Sequence, residues 1–384
     1  GEQTLFYLEE NLSFLPFLNQ FNGTEIIGGA DISGYQARDI DFKRLGLSKV
    51  DILITSMVKK KEKALAGIEL RAFDVFSGRM LLGKGYSPRN KEQVKLAARK
   101  FSADLLEELT GEGDLFFTDI AFACKGDNGV KEICLTSLPG GNVRQLTELR
   151  GIATSPAFSG DGSRIVFSYL SKDRHRLGIW KKNPGGVETL EVPGTICISP
   201  VFDPSGQIAA SLNPYGNPDI CSLDTDSQDA DFIVKNWGID VSPSFDRSGR
   251  KMAFVSSRMG NPHIFLLNRK TDEIKRVTYA GKYNTSPTMS PDGNMLAYSG
   301  RTDNGHRIFV HDLRSGMERQ VTFGPKSDEE PSFGPNGYFI VFSSNRDGKY
   351  RLYITTINGA EPRLVPTGSR EATNPSWSWA RSDD

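Results

Sequence analysis

Residues 155–169 read Ser-Pro-Ala-Phe-Ser-Gly-Asp-Gly-Ser-Arg-Ile-Val-Phe-Ser-Tyr, and related stretches recur along the whole second part of the chain. Each recurrence contains a proline; these are Pro156, Pro200, Pro243, Pro287, Pro331 and Pro375. Successive prolines are 44, 43, 44, 44 and 44 residues apart. A period this regular indicates a repeat architecture and argues against an open β-sandwich with accidental periodicity.

Each repeat contains the turn sequences expected of a small antiparallel sheet. The first five prolines are followed at fixed distance by tight-turn sequences, which are Gly160-Asp161-Gly162, Pro204-Ser205-Gly206, Arg247-Ser248-Gly249, Pro291-Asp292-Gly293 and Pro335-Asn336-Gly337. Such residues favour tight turns between antiparallel strands. Three further β-rich runs complete each repeat, so the pattern predicts four strands per repeat, which is typical of a β-propeller blade.

The sixth repeat is incomplete, because only nine residues follow Pro375. Three runs upstream of the first repeat match the missing second, third and fourth strands; these are Leu115–Phe122, Glu132–Leu135 and Arg144–Thr147. The sequence therefore predicts a six-bladed propeller over residues 113–384, with a split last blade whose innermost strand comes from the C-terminus. Closing the ring in this way removes open sheet edges.

Residues 1–112 have a different pattern, which predicts a small α/β domain. The expected elements are a helix over Thr4–Phe21, a strand over Thr24–Ile27, a helix over Asp41–Leu47, strands over Val50–Val58, Gly67–Phe76 and Met80–Tyr86, and a helix over Asn90–Leu109. Asn90 is expected to cap the last helix. Its apolar face is expected to comprise Val94, Ala97, Ala98, Phe101, Leu105 and Leu109. The fold class is thus mainly β, with an α/β N-terminal domain and a linker over Thr110–Gly113.

Composition excludes several function classes. The 47 Lys and Arg residues balance 47 Asp and Glu residues, so no net field favours nucleic acid or an anionic membrane. No apolar run approaches the length that crosses a bilayer, so direct membrane insertion is not expected. We expect no nucleic-acid partner and a monomer.

The four cysteines are too few and too widely spaced for a disulfide-stapled scaffold. Cys124 and Cys134 fall on adjacent predicted strands and can face each other, but a direct cross-strand disulfide is strained. We therefore favour four free thiols, including Cys197 and Cys221, with the Cys124–Cys134 disulfide as the alternative.

Catalytic motifs are missing from the sequence. There is no G-x-S-x-G, H-E-x-x-H or G-x-x-x-x-G-K-[ST] pattern. The four histidines, His175, His263, His306 and His311, fall in different blades rather than together around the channel. We therefore assign no catalytic residue, metal site or cofactor. One alternative function is a propeller enzyme, a peptidase or sugar lyase, acting in the channel; another is a propeller that binds some other ligand.

One set of segments is suited to binding a protein partner. The loops immediately before the repeat prolines are expected to lie together at one mouth of the propeller, and a rigid ring is a good platform for such loops. The candidate partner-binding residues are Thr154, Ile196, Ser199, Asp240, Val241, Ser242, Thr285, Glu329, Glu330, Thr373 and Asn374. The acidic residues Asp240, Asp246 and Asp328 to Glu330 are interpreted as solvated loop charges, and ordinary exposed loops remain the alternative for the whole set.

An α/β domain followed by S-P-x-F-S-x-D-G-x-x-I-x-F and R-Q-L-T repeats, with a split last blade, resembles the TolB family of periplasmic propellers in the Tol-Pal system. The resemblance covers nearly the whole chain. It implies a non-enzymatic periplasmic adaptor that binds the lipoprotein Pal through the propeller mouth and supports outer-membrane integrity and cell division. Some family members also take part in colicin import.

The resemblance also implies an N-terminal contact with TolA and particular Pal-binding positions. The family engages TolA through an extreme N-terminal segment ahead of the first helix. This chain starts almost at that helix, so we expect that it lacks this segment. The implied Pal contacts fall near Ile196, Ser199, Val241 and Ser242, and better-known members have His at the position of Ile196 and Thr at that of Val241. The face is therefore expected to carry over, with altered individual contacts.

Overall fold

The computed structural model describes residues 2–21, 35–61, 64–111, 113–126, 129–138, 142–172 and 174–381. The chain divides into two compact units, Gly1–Phe116 and Phe117–Asp384. The sequence-based boundary between 112 and 113 stays a prediction, and the structural division lies four residues further on. Each unit is described by itself.

Over its described residues, the first unit contains three α-helices and one antiparallel sheet of order β1-β2-β3. Its elements are α1 Glu2–Leu12, a 3-10 turn Ala37–Asp39, α2 Phe42–Leu47, β1 Ile52–Lys61, β2 Ala64–Asp74, β3 Met80–Tyr86 and α3 Lys91–Thr110. Helix α3 packs against α1 and β3. The expected strand over Thr24–Ile27 lies outside the described residues.

The two longer helices differ in how well the sequence predicted them. Helix α1 ends at Leu12 rather than at Phe21, because Pro16 cannot continue a helix beyond its first turn. Helix α3 agrees closely: Asn90 caps it by accepting a hydrogen bond from the backbone nitrogen of Gln93 at 2.9 Å. Leu109, which was expected on the apolar face, is exposed. It lies in the last turn, past the packed part of the helix.

The second unit is a six-bladed propeller, as the repeat predicted. Blade 1 is β7 Ile152–Phe158, β8 Arg164–Ser171, β9 Arg174–Lys181 and β10 Gly186–Leu190; blade 2 is β11 Cys197–Phe202, β12 Ile208–Leu212, β13 Asp219–Leu223 and β14 Ala230–Val234; blade 3 is β15 Asp240–Phe245, β16 Lys251–Ser256, β17 His263–Asn268 and β18 Glu273–Arg276; blade 4 is β19 Asn284–Met289, β20 Met295–Thr302, β21 Gly305–Asp312 and β22 Glu318–Gln320; blade 5 is β23 Asp328–Phe333, β24 Phe339–Ser344, β25 Arg351–Thr356 and β26 Arg363–Leu364.

Blade 6 is split between the two ends of the propeller unit. Its strands are β27 Ala372–Trp377, β4 Asp119–Lys125, β5 Lys131–Ser137 and β6 Arg144–Gln145. The C-terminal β27 pairs antiparallel with β4, and β5 makes one parallel pairing with blade 1 between Lys131 and Ile152. The innermost strands contact one another in the order β7, β11, β15, β19, β23, β27 and again β7. The ring is thus closed by the C-terminal strand.

The propeller core lies between neighbouring blades. Val166 and Leu177 of blade 1 pack with Phe202 and Leu212 of blade 2 in one buried cluster, and comparable clusters join the later blades. Burial of this apolar area contributes about 25 cal/mol per Å². The same buried side chains therefore stabilise two neighbouring blades.

Every innermost strand is interrupted at the residue before its proline. These residues have left-handed backbone conformations with φ between 48° and 57°; they are Ser155, Ser199, Ser242, Ser286, Glu330 and Asn374, named here the bulge ring. The strand register shifts at the same point in each strand. Each such residue costs about 1–2 kcal/mol when it is not glycine. A β-bulge of this kind re-aims side chains at the rim of a ring.

The expectation of four free thiols is wrong, since Cys124 and Cys134 form a disulfide with a Cα–Cα distance of 5.8 Å. Strand register explains the difference: Cys134 lies opposite Phe122, and Cys124 lies opposite Glu132. The two cysteines are therefore diagonal neighbours rather than a directly opposed pair. The other two, Cys197 and Cys221, are buried free thiols.

Candidate functional site

The candidate residues predicted from the sequence lie at one end of the propeller, but mostly not in loops. All except Ile196 belong to the first half of an innermost strand. The innermost strands run in the same direction around the ring, so their first halves meet at one opening, named here the mouth. The structure therefore brings these residues together while placing them deeper than the sequence suggested.

The interpretation of the acidic residues as solvated loop charges is wrong for three of them. Asp240, Asp246 and Asp328 are buried, Asp240 completely. The guanidinium of Arg258 pairs with Asp240 at 3.1 Å, and that of Arg346 pairs with Asp328 at 2.9 Å. These carboxylates serve the fold, because a buried charge must be paired and hydrogen-bonded.

Glu330 also has an internal role, although it belongs to the bulge ring. Its carboxylate accepts hydrogen bonds from the Asn374 backbone nitrogen at 2.7 Å, the Asn374 side-chain amide at 2.6 Å and the Ser343 hydroxyl at 2.8 Å. Burial raises the pKa of Glu330 above its ordinary value, against the lowering effect of these bonds and of the Lys131 charge. Glu330 thus ties blade 5 to the closing strand β27.

A cavity of about 240 Å³ opens between blades 5 and 6. It is lined by Ala123, Lys125, Lys131, Glu329, Glu330, Tyr350, Glu371 and Thr373, so three predicted candidates belong to it. Burial and the adjacent Glu329 carboxylate raise the pKa of Tyr350 to about 12. The phenol therefore stays protonated at neutral pH and donates to Glu329 at 3.0 Å.

Sequence reasoning missed a set of exposed apolar side chains at the mouth, named here the apolar arc. Its members are Tyr215, Trp237, Ile239, Met259, Tyr279, Tyr283 and Phe323. All lie in connections between the second and third strands of a blade or between consecutive blades. In a four-stranded antiparallel blade both kinds of connection fall at the same end as the start of the innermost strand. The available signal was the presence of large apolar residues in otherwise polar loops.

Several arc residues are held in place from behind. The guanidinium of Arg276 lies 4.9 Å from the ring centre of Tyr279, which is 73% exposed. The buried Arg307 donates to the carbonyls of Asn304 at 2.9 Å and of Gly324 and Lys326, which anchors the loop after Phe323. The Tyr279 ring and the loop after Phe323 are therefore held by contacts with neighbouring arginines.

The arc and the cavity are connected by a chain of contacts. The ring of Tyr283 lies 6.1 Å from the ring of His306. The Nδ1 atom of His306 lies 3.6 Å from Glu329, which in turn accepts from Tyr350 at the cavity wall. The mouth thus has an apolar part over blades 2 to 4 and a charged part at blades 5 and 6.

The histidines do not form a common site. His175 lies 3.0 Å from the Cys197 carbonyl, His263 is buried beside Thr278, and His311 faces Glu318. Among the described residues, no group of three or more His, Cys, Asp or Glu side chains could hold a metal ion. Within the same ranges, no helix is long and apolar enough to cross a membrane.

The fold defines a β-propeller protein whose propeller is preceded in sequence by a small α/β unit. The profile of the TolB beta propeller domain family matches residues 106–381. The chain therefore belongs to the TolB β-propeller family, which confirms the resemblance seen in the sequence.

Named relatives agree with this assignment. The chain is 39% identical over 253 residues to the Tol-Pal system protein TolB of Nitratidesulfovibrio vulgaris, covering 66% of this chain and 57% of that protein. It is 36% identical over 191 residues to a protein TolB homolog of Chlorobium luteolum, covering 50% of this chain and 43% of that protein. The aligned part thus spans about half the length of these curated relatives.

Solved structures show the same fold. The crystal structure of TolB from Acinetobacter baumannii matches with a TM-score of 0.82 at 22% identity, covering 98% of this chain and 93% of that one. The tricorn protease matches with a TM-score of 0.53 at 14% identity, covering 66% of this chain and 26% of that one. At these identities the likeness concerns the fold alone.

Proposed function

We propose that this chain is a non-enzymatic periplasmic component of the Tol-Pal system that binds the lipoprotein Pal through the mouth of its propeller. Membership of the TolB family and the names of the curated relatives support the system. The apolar arc is the observation that carries the binding face. It combines Trp, Tyr, Phe and Met side chains, which are the types enriched at protein interfaces.

The face is also suited to binding because little conformational entropy is lost when its loops are ordered on association. The loop after Phe323 is already anchored by the buried Arg307, so association does not require that loop to be immobilised first. Trp237 and Tyr215 are 73% and 84% exposed, so covering them removes a large apolar area from water. The predicted polar contacts near Ser199 and Ser242 lie at the centre of the same opening and remain part of this proposal.

Titration calorimetry of this chain with the soluble domain of Pal from the same organism tests the proposal. Trp237→Ala and Tyr279→Ala should each weaken binding by about tenfold or more, with an unchanged melting temperature because both side chains are exposed. Met317→Ala is the matched control, since Met317 is exposed in a turn at the opposite end of the propeller. Absence of Pal binding to the unmodified chain, or equal loss in the control, would overturn the proposal.

The proposal includes TolA, which the family resemblance places on an extreme N-terminal segment. If TolA and Pal occupancy are coupled, each partner changes the affinity of the other by the same factor. Titrating Pal with and without the soluble part of TolA measures that factor. Equal Pal affinity in both titrations would exclude the coupling.

A further inference from the structure

The apolar part of the mouth also carries charge, and at blades 3 and 4 this charge is mostly positive. The loops of these blades that open on the mouth are residues 257–262, 277–283, 303–304 and 321–327. Asp303 is the only acidic residue in these four segments. Four cations lie in these loops or within two residues of them and are named here the basic collar; they are Arg276, Lys282, Arg301 and Lys326.

The collar cations are not neutralised by carboxylates. Over the described part of the chain, none of the four has a carboxylate oxygen within 4 Å. Lys282, Arg301 and Lys326 are exposed, so their charges face solvent. Even when Glu329 of blade 5 is counted together with Asp303, four cations stand against two carboxylates. The collar therefore gives this part of the mouth a positive charge, although the whole chain has none.

The neighbouring side of the mouth, between blades 2 and 3, is different because its charges balance. The guanidinium of Arg258 pairs with Asp240 at 3.1 Å. Burial raises the pKa of Asp219, against the lowering effect of the adjacent Lys235 charge. The excess of positive charge is thus concentrated at blades 3 and 4.

Side chains of the apolar arc lie among the collar cations. The guanidinium of Arg276 lies 4.9 Å from the ring centre of Tyr279 and has a nitrogen 3.9 Å from the Met259 sulfur. The Arg301 backbone nitrogen donates to the Tyr283 carbonyl at 2.9 Å. Apolar and cationic groups therefore form one mixed surface here.

The backbone of Lys326 is held in place next to Phe323. The carbonyls of Gly324 and Lys326 both accept hydrogen bonds from the buried Arg307. The backbone nitrogen of His306 donates to the Ser327 hydroxyl at 3.2 Å. The loop is therefore anchored at its base while the ammonium of Lys326 stays exposed.

We propose that the protein surface that docks on the mouth is acidic where it covers blades 3 and 4, with aspartate and glutamate side chains that face the basic collar around an apolar patch that covers the arc. The inference rests on the proposed function, because it specifies the chemistry of the partner surface at the same face. An apolar centre with a charged rim is the usual anatomy of an interface, and complementary potentials select the partner and speed association.

The positive charge also disfavours two other occupants. A basic protein surface would place like charges opposite each other, which costs several kcal/mol. A two-fold contact between two copies of this chain would place the same patch on itself, so collar would face collar. An acidic partner is the protein surface that gains from both the arc and the collar.

The first test is the rate of Pal association with a chain carrying Lys282→Glu and Lys326→Glu. We expect the association rate constant, measured by stopped-flow fluorescence at low salt, to fall by about tenfold or more. The difference from the unmodified chain should largely vanish at about 1 M salt, where the Debye length is about 3 Å. An unchanged rate at low salt would overturn the inference while leaving Pal binding through the arc, and hence the proposed function, intact.

The matched control carries Lys182→Glu and Lys270→Glu, which change the net charge by the same amount. Both lysines are exposed in turns between the third and fourth strands of a blade, at the end of the propeller away from the mouth. This control should keep most of the association rate. An equal fall in the control would show an effect of net charge alone and would overturn the inference.

Charge exchange identifies the acidic residues of the partner. Each exposed aspartate and glutamate of the Pal domain is changed to lysine and measured against the unmodified chain and against the Lys282→Glu, Lys326→Glu chain. At least one change should weaken binding to the unmodified chain and strengthen binding to the reversed chain. If no acidic position of Pal behaves in this way, the inference is wrong.

A second arm does not depend on Pal. The lysines are dimethylated with ¹³C, and the resonances of Lys282 and Lys326 are assigned with Lys282→Arg and Lys326→Arg. Acetyl-Glu-Leu-Glu amide at millimolar concentration should shift these two resonances more than acetyl-Gln-Leu-Gln amide does, and more than it shifts those of Lys182 and Lys270.

The outcomes of this arm separate the two proposals. The expected shifts without Pal binding would refute the proposed function and support the collar. Equal shifts at all four lysines would overturn the inference. A larger response of the collar to inorganic phosphate than to the acidic peptide would also overturn it, because it would indicate a phosphate ligand instead of an acidic protein surface.

Discussion

Truncating Glu330 to alanine should destabilise the propeller at its closure. The carboxylate accepts hydrogen bonds from Asn374 and Ser343. After truncation the Asn374 backbone nitrogen keeps the Ser343 oxygen at 3.2 Å, but the Asn374 amide and the Ser343 hydroxyl each lose an acceptor. A buried donor left unsatisfied, as at Ser343, costs about 1–3 kcal/mol, whereas Asn374 is only partly buried.

Relief of a buried charge offsets part of this cost, so the expected loss is about 2–4 kcal/mol. For a unit of this size, about 2–4 °C of melting temperature corresponds to each kcal/mol, which gives a fall of about 4–16 °C. Calorimetry and guanidinium unfolding measure the loss, and hydrogen exchange should show it first in β27.

Glu329→Ala is the control, because Glu329 is the adjacent residue and is partly exposed at the cavity. Its loss should stay near 1 kcal/mol or below, as for a single partly solvated hydrogen bond. Equal stability of the two variants would show that Glu330 does not fasten the closing strand.

Three further outcomes are expected. Thiol titration of the denatured, unreduced chain should find two thiols, and four thiols would contradict the Cys124–Cys134 disulfide. Because this disulfide closes a short loop, its reduction should lower the free energy of unfolding by about 2–3 kcal/mol. Burial raises the pKa of Glu330 above 4.5 in the folded chain, so above pH 4.5 the folded state binds more protons than the unfolded state. The free energy of unfolding of the unmodified chain, relative to that of Glu330→Gln, should therefore fall as the pH rises from 4.5 toward the raised pKa. Guanidinium unfolding at several pH values measures this difference, and an increase in relative stability over the same range would contradict the prediction. Gly178→Ala places a Cβ 2.1 Å from the facing phenylalanine ring and should cost at least about 1–3 kcal/mol in the same assay, whereas Gly160→Ala has open space and should change little.

The propeller could be predicted from the repeat, because each repeat contains its own proline and tight-turn sequence, and these local signals recur at nearly constant spacing. The split blade followed from counting strands at both ends of the array. The same local patterns predicted α3 and its cap at Asn90. The apolar spacing over Thr4–Phe21 predicted a helix longer than α1, because such spacing does not register that Pro16 cannot continue a helix.

The site was less predictable, since its properties depend on partners far apart in the sequence. Asp240 is polar and precedes a repeat proline, but Arg258, eighteen residues later, makes it a buried ion-pair member. Glu330 depends on Asn374, 44 residues away. The apolar arc was missed for the opposite reason: aromatic residues are ordinarily assigned to the core, and their exposure depends on which loops the ring places outside. The disulfide likewise depends on the pairing register of β4 and β5, which makes Cys124 and Cys134 diagonal neighbours.

The split blade sets the order in which the mouth can be completed during synthesis. The cavity wall combines Lys125 and Lys131, which precede blade 1 in the sequence, with Glu371 and Thr373, which follow blade 5. A nascent chain that stops before β27 has the other blades but lacks one wall of the cavity and the partner of Glu330. The charged part of the mouth is therefore complete only after blades 1 to 5 and β27 have all been synthesised.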